Sequence, residues 1–191
     1  MSFFQNLFSS LKQRNLDKRL IVSQEIGWTI RLPLQYALKR PVAAQQRYDF
    51  SARLMGEAAG NTIYKGKVAR AIFCSYYDRF NSCSAAIIGI DGASPDQIEL
   101  SRTDCDDRLF RLYSKIENAT VDRQTSTINV GGLQFQQFSY LIRRGGKPIL
   151  CYEYSYRTIG DFECSISMNY NNETQRQIMV TCLADSKFSR G

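Results

Sequence analysis

The chain has 191 residues, 43% apolar and 23% charged, with a formal net charge of +7; this suits a folded unit that can bury a core without disulfide staples, and it excludes collagen-like, coiled-coil and disordered classes. It contains no histidine, which removes Ser-His and Cys-His nucleophile pairs and the usual proton shuttle near neutral pH. No apolar run approaches the roughly 18 residues of a membrane span, and the first residues, MSFFQNLFSSLK, lack a basic leader, an apolar core and a small-residue cleavage site, so a soluble, cytoplasmic protein is expected.

Residues 3 to 11 set Phe3, Phe4, Leu7, Phe8 and Leu11 at helical spacing, with Gln5, Asn6, Ser9 and Ser10 opposite, and Lys12, Arg14, Lys18 and Arg19 follow. An aromatic helix with cations can lie in a lipid interface. Here the cations trail the helix instead of lining its polar face, so docking of the stripe on the domain or a neighbour is preferred. Residues 1–20 are therefore expected to be an amphipathic helix with a basic segment, and residues 21–191 a single domain.

From Ile26 the segment IGWTIRLPLQY alternates through Trp28, Ile30 and Leu32 up to Pro33, as a strand ending in a proline-fixed loop does. Residues 43–61, AAQQRYDFSARLMGEAAGN, have helical character, with Gly60 and Asn61 as a stop. VARAIFCSYYDRF fits either helix or strand. SAAIIGID, residues 84–91, is a continuous apolar run that predicts a strand buried on both faces. Thr103 or Asp104 would cap a helix running to about Asn118, with Cys105, Leu109, Leu112, Tyr113 and Ile116 as its apolar stripe. Asp104, Asp106 and Asp107 would then crowd the first turn, where carboxylates offset the helix dipole and need no metal.

Strands are predicted over 122–130, 133–143, 149–158 and 162–168, separated by Gly131-Gly132, Gly145-Gly146 and Gly160-Asp161. Phe135, Gln136, Gln137 and Phe138 break the alternation, which predicts a bulge. In the last strand Phe162, Cys164, Ile166 and Met168 form the core face, with Glu163, Ser165 and Ser167 opposite. Tyr152, Tyr154 and Tyr156 form a row that is either a stacking platform for bases or a buried face; the buried face is preferred. A helix over 174–186 closes the chain, with Ile178, Met179, Cys182 and Leu183 on its apolar side.

The six cysteines, Cys74, Cys83, Cys105, Cys151, Cys164 and Cys182, show no CxxC spacing; reduced, mostly buried thiols are expected, and no metal or cofactor. The cationic clusters Lys39-Arg40 and Arg143, Arg144 and Lys147 could draw an acidic partner, although solvated faces and a hairpin tip kept soluble by charge explain them as well.

The order of a strand ending in GWTIRLP, a buried strand SAAIIGID, an amphipathic helix, a strand into VGGLQF, two hairpin strands and a last helix closing in ADSKF resembles the Mog/PsbP-like superfamily over about residues 24–188. That superfamily includes a Ran-binding nuclear import factor, the PsbP extrinsic subunit of photosystem II and many small bacterial proteins of unknown role. The resemblance implies an α+β fold with a central antiparallel β-sheet sandwiched between helices, and a non-catalytic binding or assembly protein rather than an enzyme, here a bacterial member. A protein partner is expected, through Phe3, Phe4, Leu7 and Phe8 or through Arg143, Arg144 and Lys147. The alternative is an anionic membrane surface met by the N-terminal helix, and nucleic acid is not expected. An exposed cysteine nucleophile is the remaining enzymatic reading; without histidine it needs a cation or a helix N-terminus to lower its pKa.

Overall fold

A computed structural model describes residues 19–46 and 67–189. Phe3, Phe4, Leu7 and Phe8, with the cations up to Lys18, lie outside the described residues, as does most of the helix expected over 43–61, of which residues 43–46 are seen, in a helical turn over 41–46. In chain order the elements are β1 (Leu20–Ser23), β2 (Trp28–Arg31), β3 (Ala37–Leu38), β4 (Arg70–Tyr76), β5 (Ser82–Gly89), α1 (Pro95–Ser114), β6 (Ala119–Val130), β7 (Leu133–Arg144), β8 (Lys147–Ile159), β9 (Phe162–Tyr170), α2 (Glu173–Ala184) and β10 (Lys187–Phe188). Among the described residues no helix is long and apolar enough to cross a membrane.

Seven strands make an antiparallel sheet in the order β3-β4-β5-β9-β8-β7-β6, and β1-β2-β10 make a small second sheet. In the ambiguous VARAIFCSYYDRF, Arg70–Tyr76 is strand, with Phe73 and Cys74 buried beside β5, and residues 77–80 turn. Both faces of the large sheet are covered. On one, Phe138, Tyr140, Tyr152 and Tyr156 pack with Leu109 of α1, and Tyr113 meets the rings of Tyr140 at 5.7 Å and Tyr152 at 5.4 Å. On the other, Cys164, Ile166, Met168 and Phe135 pack with Met179 and Leu183 of α2 and with Trp28 and Ile30 of the small sheet. The antiparallel sheet between helices is therefore observed, and the tyrosine row is a core face.

This double burial corrects three expectations. Register runs unbroken through Gln136, Gln137 and Phe138, so there is no bulge there. The alternation breaks because Phe135 points into one core and Phe138 into the other; the irregularity lies further on, between Ile142 and Arg143. In β9 both faces are core, since Glu163 and Ser165 are buried as well as Cys164 and Ile166. Helix α1 starts well before Thr103. Ser94 caps it with a reciprocal box, its hydroxyl accepting from the Gln97 amide at 3.3 Å while its own amide donates to Gln97 Oε1 at 2.8 Å, and Pro95 takes the first turn. Asp104, Asp106 and Asp107 are thus mid-helix, and Leu112, expected in the stripe, is half exposed. The buried stripe is Ile98, Ser101, Asp106 and Leu109.

The hairpin turns follow from paired glycines at positive φ, as in Gly145 (56°) and Gly146 (76°), a conformation that matches strand twist in a two-residue turn. At Gly131 the constraint is also one of space. Its amide donates to the Leu183 carbonyl at 3.0 Å, and a Cβ there would stand 3.0 Å from the Ser186 carbonyl and the Phe188 ring. The β6–β7 turn is pressed beneath the end of α2.

Candidate functional site: the cationic end of the sheet

Ser82, Asn169, Tyr152, Tyr140 and Arg123 face one another across five adjacent strands. This line divides the sheet into two ends. On one side lie the β4–β5 turn, the β7–β8 tip, the C-terminus of α1 and the N-terminus of α2. The β7–β8 hairpin runs farthest, five residues beyond Tyr152 to Lys147, or roughly 16 Å along the strand. The opposite end carries Asp91, Asp96, Asp161 and the α2 cap Asp185, together with Lys67, Arg70, Arg157 and Lys187.

Arg144 and Lys147 face each other beside the Gly145-Gly146 turn, both exposed. Arg143, expected with them, is partly committed: its Nε donates to Asp122 Oδ2 at 2.9 Å across the β6–β7 pair. Lys115, at the C-cap of α1, adds an exposed cation, because Ala119 pairs with Arg144 and brings the helix end to the tip. Arg19, just before β1, lies at this end as well. Arg19 donates to the carbonyls of Pro33 at 3.0 Å and Leu34 at 2.8 Å and to that of Tyr36, so the loop before β3 holds the junction with the N-terminal segment. Phe3, Phe4, Leu7 and Phe8 lie outside the described residues.

Sequence reasoning missed a second feature here. Tyr76, Tyr77 and Phe80 are exposed by 37%, 48% and 38%. Lys39 Nζ stands 5.8 Å from the Tyr76 ring centre, the Arg79 guanidinium 4.5 Å from that of Phe80, and Tyr77 packs at 6.0 Å on Tyr36. The signal was present as Tyr-Tyr-Asp-Arg-Phe-Asn, an aspartate set to close a turn between aromatics.

The remaining buried charges tie helices to sheet. Glu153 accepts from Arg176 Nε at 2.8 Å and from Tyr170 Oη at 2.9 Å, and its other oxygen from Gln137 Nε2 at 3.3 Å. Burial works against the charge on Arg176, but the Glu153 carboxylate outweighs it and pushes the guanidinium pKa up. Arg102 of α1 donates to Glu163 at 3.0 Å and Thr158 at 2.9 Å and lies over Tyr156. Asp106 accepts from Arg123 and from Tyr140 Oη, and Asp107 accepts from Arg123 at 2.9 Å. Asp106 and Asp107 thus face one guanidinium, which is a structural clasp.

All six cysteines are free thiols. Burial, reinforced by the negative charge of Glu163, pushes Cys105 up to about 12, and burial, with Asp185 next, pushes Cys182 up to about 11. Cys83, Cys151 and Cys164 are raised by burial as well. Each of these environments disfavours the thiolate that a nucleophile requires.

No protein-family model matches the chain, and no curated protein matches it. Among solved structures it is similar to the cyanobacterial PsbP, CyanoP, of Synechocystis sp. PCC 6803, with a TM-score of 0.54 and 10% identity over 89% of this chain and 91% of that one. It is also similar to LpqN, involved in cell envelope biogenesis of Mycobacterium tuberculosis, with a TM-score of 0.50 and 8% identity over 90% of each chain. At such identities the likeness is one of fold, and it covers nearly the whole of both chains: the protein has the PsbP-like fold that its order of elements implied.

Proposed function

We propose that this chain is a non-catalytic binding module of the adaptor or assembly kind, whose partner is a protein presenting acidic groups to the cationic end of the sheet. The observation that carries the reading is the gathering of Arg144, Lys147 and Lys115 at that end, all exposed, while the nearby Asp122 and Glu173 are engaged by Arg143 and Arg176. Complementary charge of this kind steers encounter and selects partners more than it adds affinity. The raised thiols and the use of buried carboxylates as ties support a role without chemistry.

Arg144→Glu with Lys147→Glu tests it. Both side chains are exposed, so stability should change by no more than about 0.5 kcal/mol. Proteins retained from native lysate by the unaltered chain at low salt should be lost with the variant, and lost as well when salt of about 1 M shortens the screening length to about 3 Å. Retention of the same proteins by both chains would overturn the reading.

A second reading, an anionic membrane surface met through the N-terminal segment with Phe3, Phe4, Leu7 and Phe8, is favoured by one observation: Arg19 holds the junction of that segment at the cationic end. Sedimentation with phosphatidylcholine vesicles, with and without phosphatidylglycerol, should then carry down the full chain but not one starting at Arg19. Equal sedimentation of both would end this alternative.

A further inference from the structure

We infer that the β4–β5 turn and the loop it packs on form the specificity-determining centre of the partner surface: Tyr76, Tyr77 and Phe80, with Lys39 and Arg79, take an acidic protein segment that carries apolar side chains among its carboxylates. The inference rests on the binding role proposed above and adds the residues and the chemistry of the partner. The aromatic residues of β7 and β8 are mostly buried, Tyr140 and Phe135 completely and Tyr156 at 3%. These three rings, within five successive residues, are left open to solvent by the fold.

The turn that presents them is preorganised. Asp78 Oδ1 accepts from the amide of Phe80 at 2.7 Å, the amide of Asn81 at 2.8 Å and the Asn81 side chain at 2.9 Å. The Tyr77 amide closes the loop on the Asn81 carbonyl at 2.8 Å. Asn81, itself buried, donates to Asn171 Oδ1 at 3.0 Å, which fixes the turn to the strand end before α2. A surface already held in one shape has less freedom to lose on binding, and aromatic and arginine side chains in such a setting dominate binding energy.

Charge selects the occupant. The Asp78 carboxylate, itself exposed, accepts the bonds above and lies beside Arg79, while Lys39 and Arg79 stand against the Tyr76 and Phe80 rings and Arg40 is exposed next to Lys39. Carboxylates of a partner would meet Lys39, Arg79 and Arg40, while its apolar side chains would meet ring surface. Tyr76 and Phe80 are partly covered by those cations and Tyr77 lies on Tyr36, so none of the three rings stands free as a wedge that enters a bilayer. A protein segment fits this better than lipid.

The test uses the full chain and two fluorescein-labelled peptides of equal length and charge, Asp and Glu around a central Leu-Leu pair in the first and the same acidic residues around a central Ser-Ser pair in the second. The first should bind about tenfold more tightly and shift the amide resonances of residues 76–81 and of Lys39. Tyr77→Ser and Phe80→Ser should each erase the difference between the peptides, while Arg144→Glu with Lys147→Glu should weaken both alike. If a serine variant lowers the melting temperature, the peptide comparison and the resonance map of the unaltered chain decide. Equal binding of the two peptides, or shifts confined to residues 143–147, would overturn the inference and leave the broader role standing. Binding of neither would overturn both. Shifts at 76–81 caused by phosphatidylglycerol vesicles and not by the peptide would overturn it in favour of lipid.

Discussion

Glu153 shows how much a single side chain can carry in this sheet. Its side chain is only 3% exposed, while that of Arg176 is 27% exposed. Arg176→Met would strand the carboxylate in the core, with Tyr170 and Gln137 as its remaining donors. Removing one partner of a buried pair costs about 3–5 kcal/mol, and because Arg176 reaches water the lower end is expected, read as a drop in the urea midpoint. Arg143→Ala breaks the half-exposed pair with Asp122 and should cost less than about 1 kcal/mol. Similar losses for the two variants would mean that the Glu153 tie is not a core contact. Alternation sets Glu153 on the face opposite Tyr152, Tyr154 and Tyr156, but alternation marks which residues share a face and not whether that face is covered. That face is covered by α2 with a polar clasp, so no apolar run betrayed its burial. Asp106 was obscured in another way: three aspartates close together read as a helix start, and only Arg123 and Tyr140, distant in sequence, reveal one of them as buried.

The strands after residue 119 were legible because Gly131-Gly132, Gly145-Gly146 and Gly160-Asp161 punctuate a period of two, and the expected limits differ from the observed ones by a few residues. Helix α1 was legible in its second half alone. Its start is written in Ser94, Pro95 and Gln97, a capping box whose first residues suit a loop after β5 equally well. Ser94→Ala should therefore cost about 1 kcal/mol and speed amide exchange in the first turns of α1, leaving residues near Leu109 protected. An unchanged exchange pattern would mean that the box contributes nothing. The short strands β1, β3 and β10 carried no signal of their own, since pieces of two to four residues exist only through their neighbours. The aromatic turn was missed because VARAIFCSYYDRF fits two periods, and without knowing that β4 is a strand its last residues could not be placed at a sheet end.

At the scale of the molecule, the raised thiols of Cys83, Cys105, Cys151, Cys164 and Cys182 make stability sensitive to alkaline pH. The ordinary thiol value is about 8.5, and in the fold Cys182 stands at about 11 and Cys105 at about 12. Folded values above unfolded ones mean that the unfolded chain releases protons first, so the stability these thiols contribute is complete below about pH 8.5 and is lost as pH rises towards 11 and 12. In reductant, the melting temperature should fall over that interval, and Cys105→Ala should flatten the fall. A melting temperature level to pH 11 would contradict the burial of these groups. The last consequence concerns time. Trp28, the single tryptophan, stacks on Phe188 at 5.6 Å and donates its indole N–H to Ser186 Oγ at 2.9 Å across 158 residues of chain. At a synthesis rate of about 5–20 residues per second, the indole is made roughly 8–30 s before the residues that seal it. Throughout that interval the core stays open beside β2, so the newborn protein is a client for chaperones and a target for proteases until its final strand is translated, and ribosome-bound chains arrested before Ser186 should still show the red-shifted emission of a wet indole.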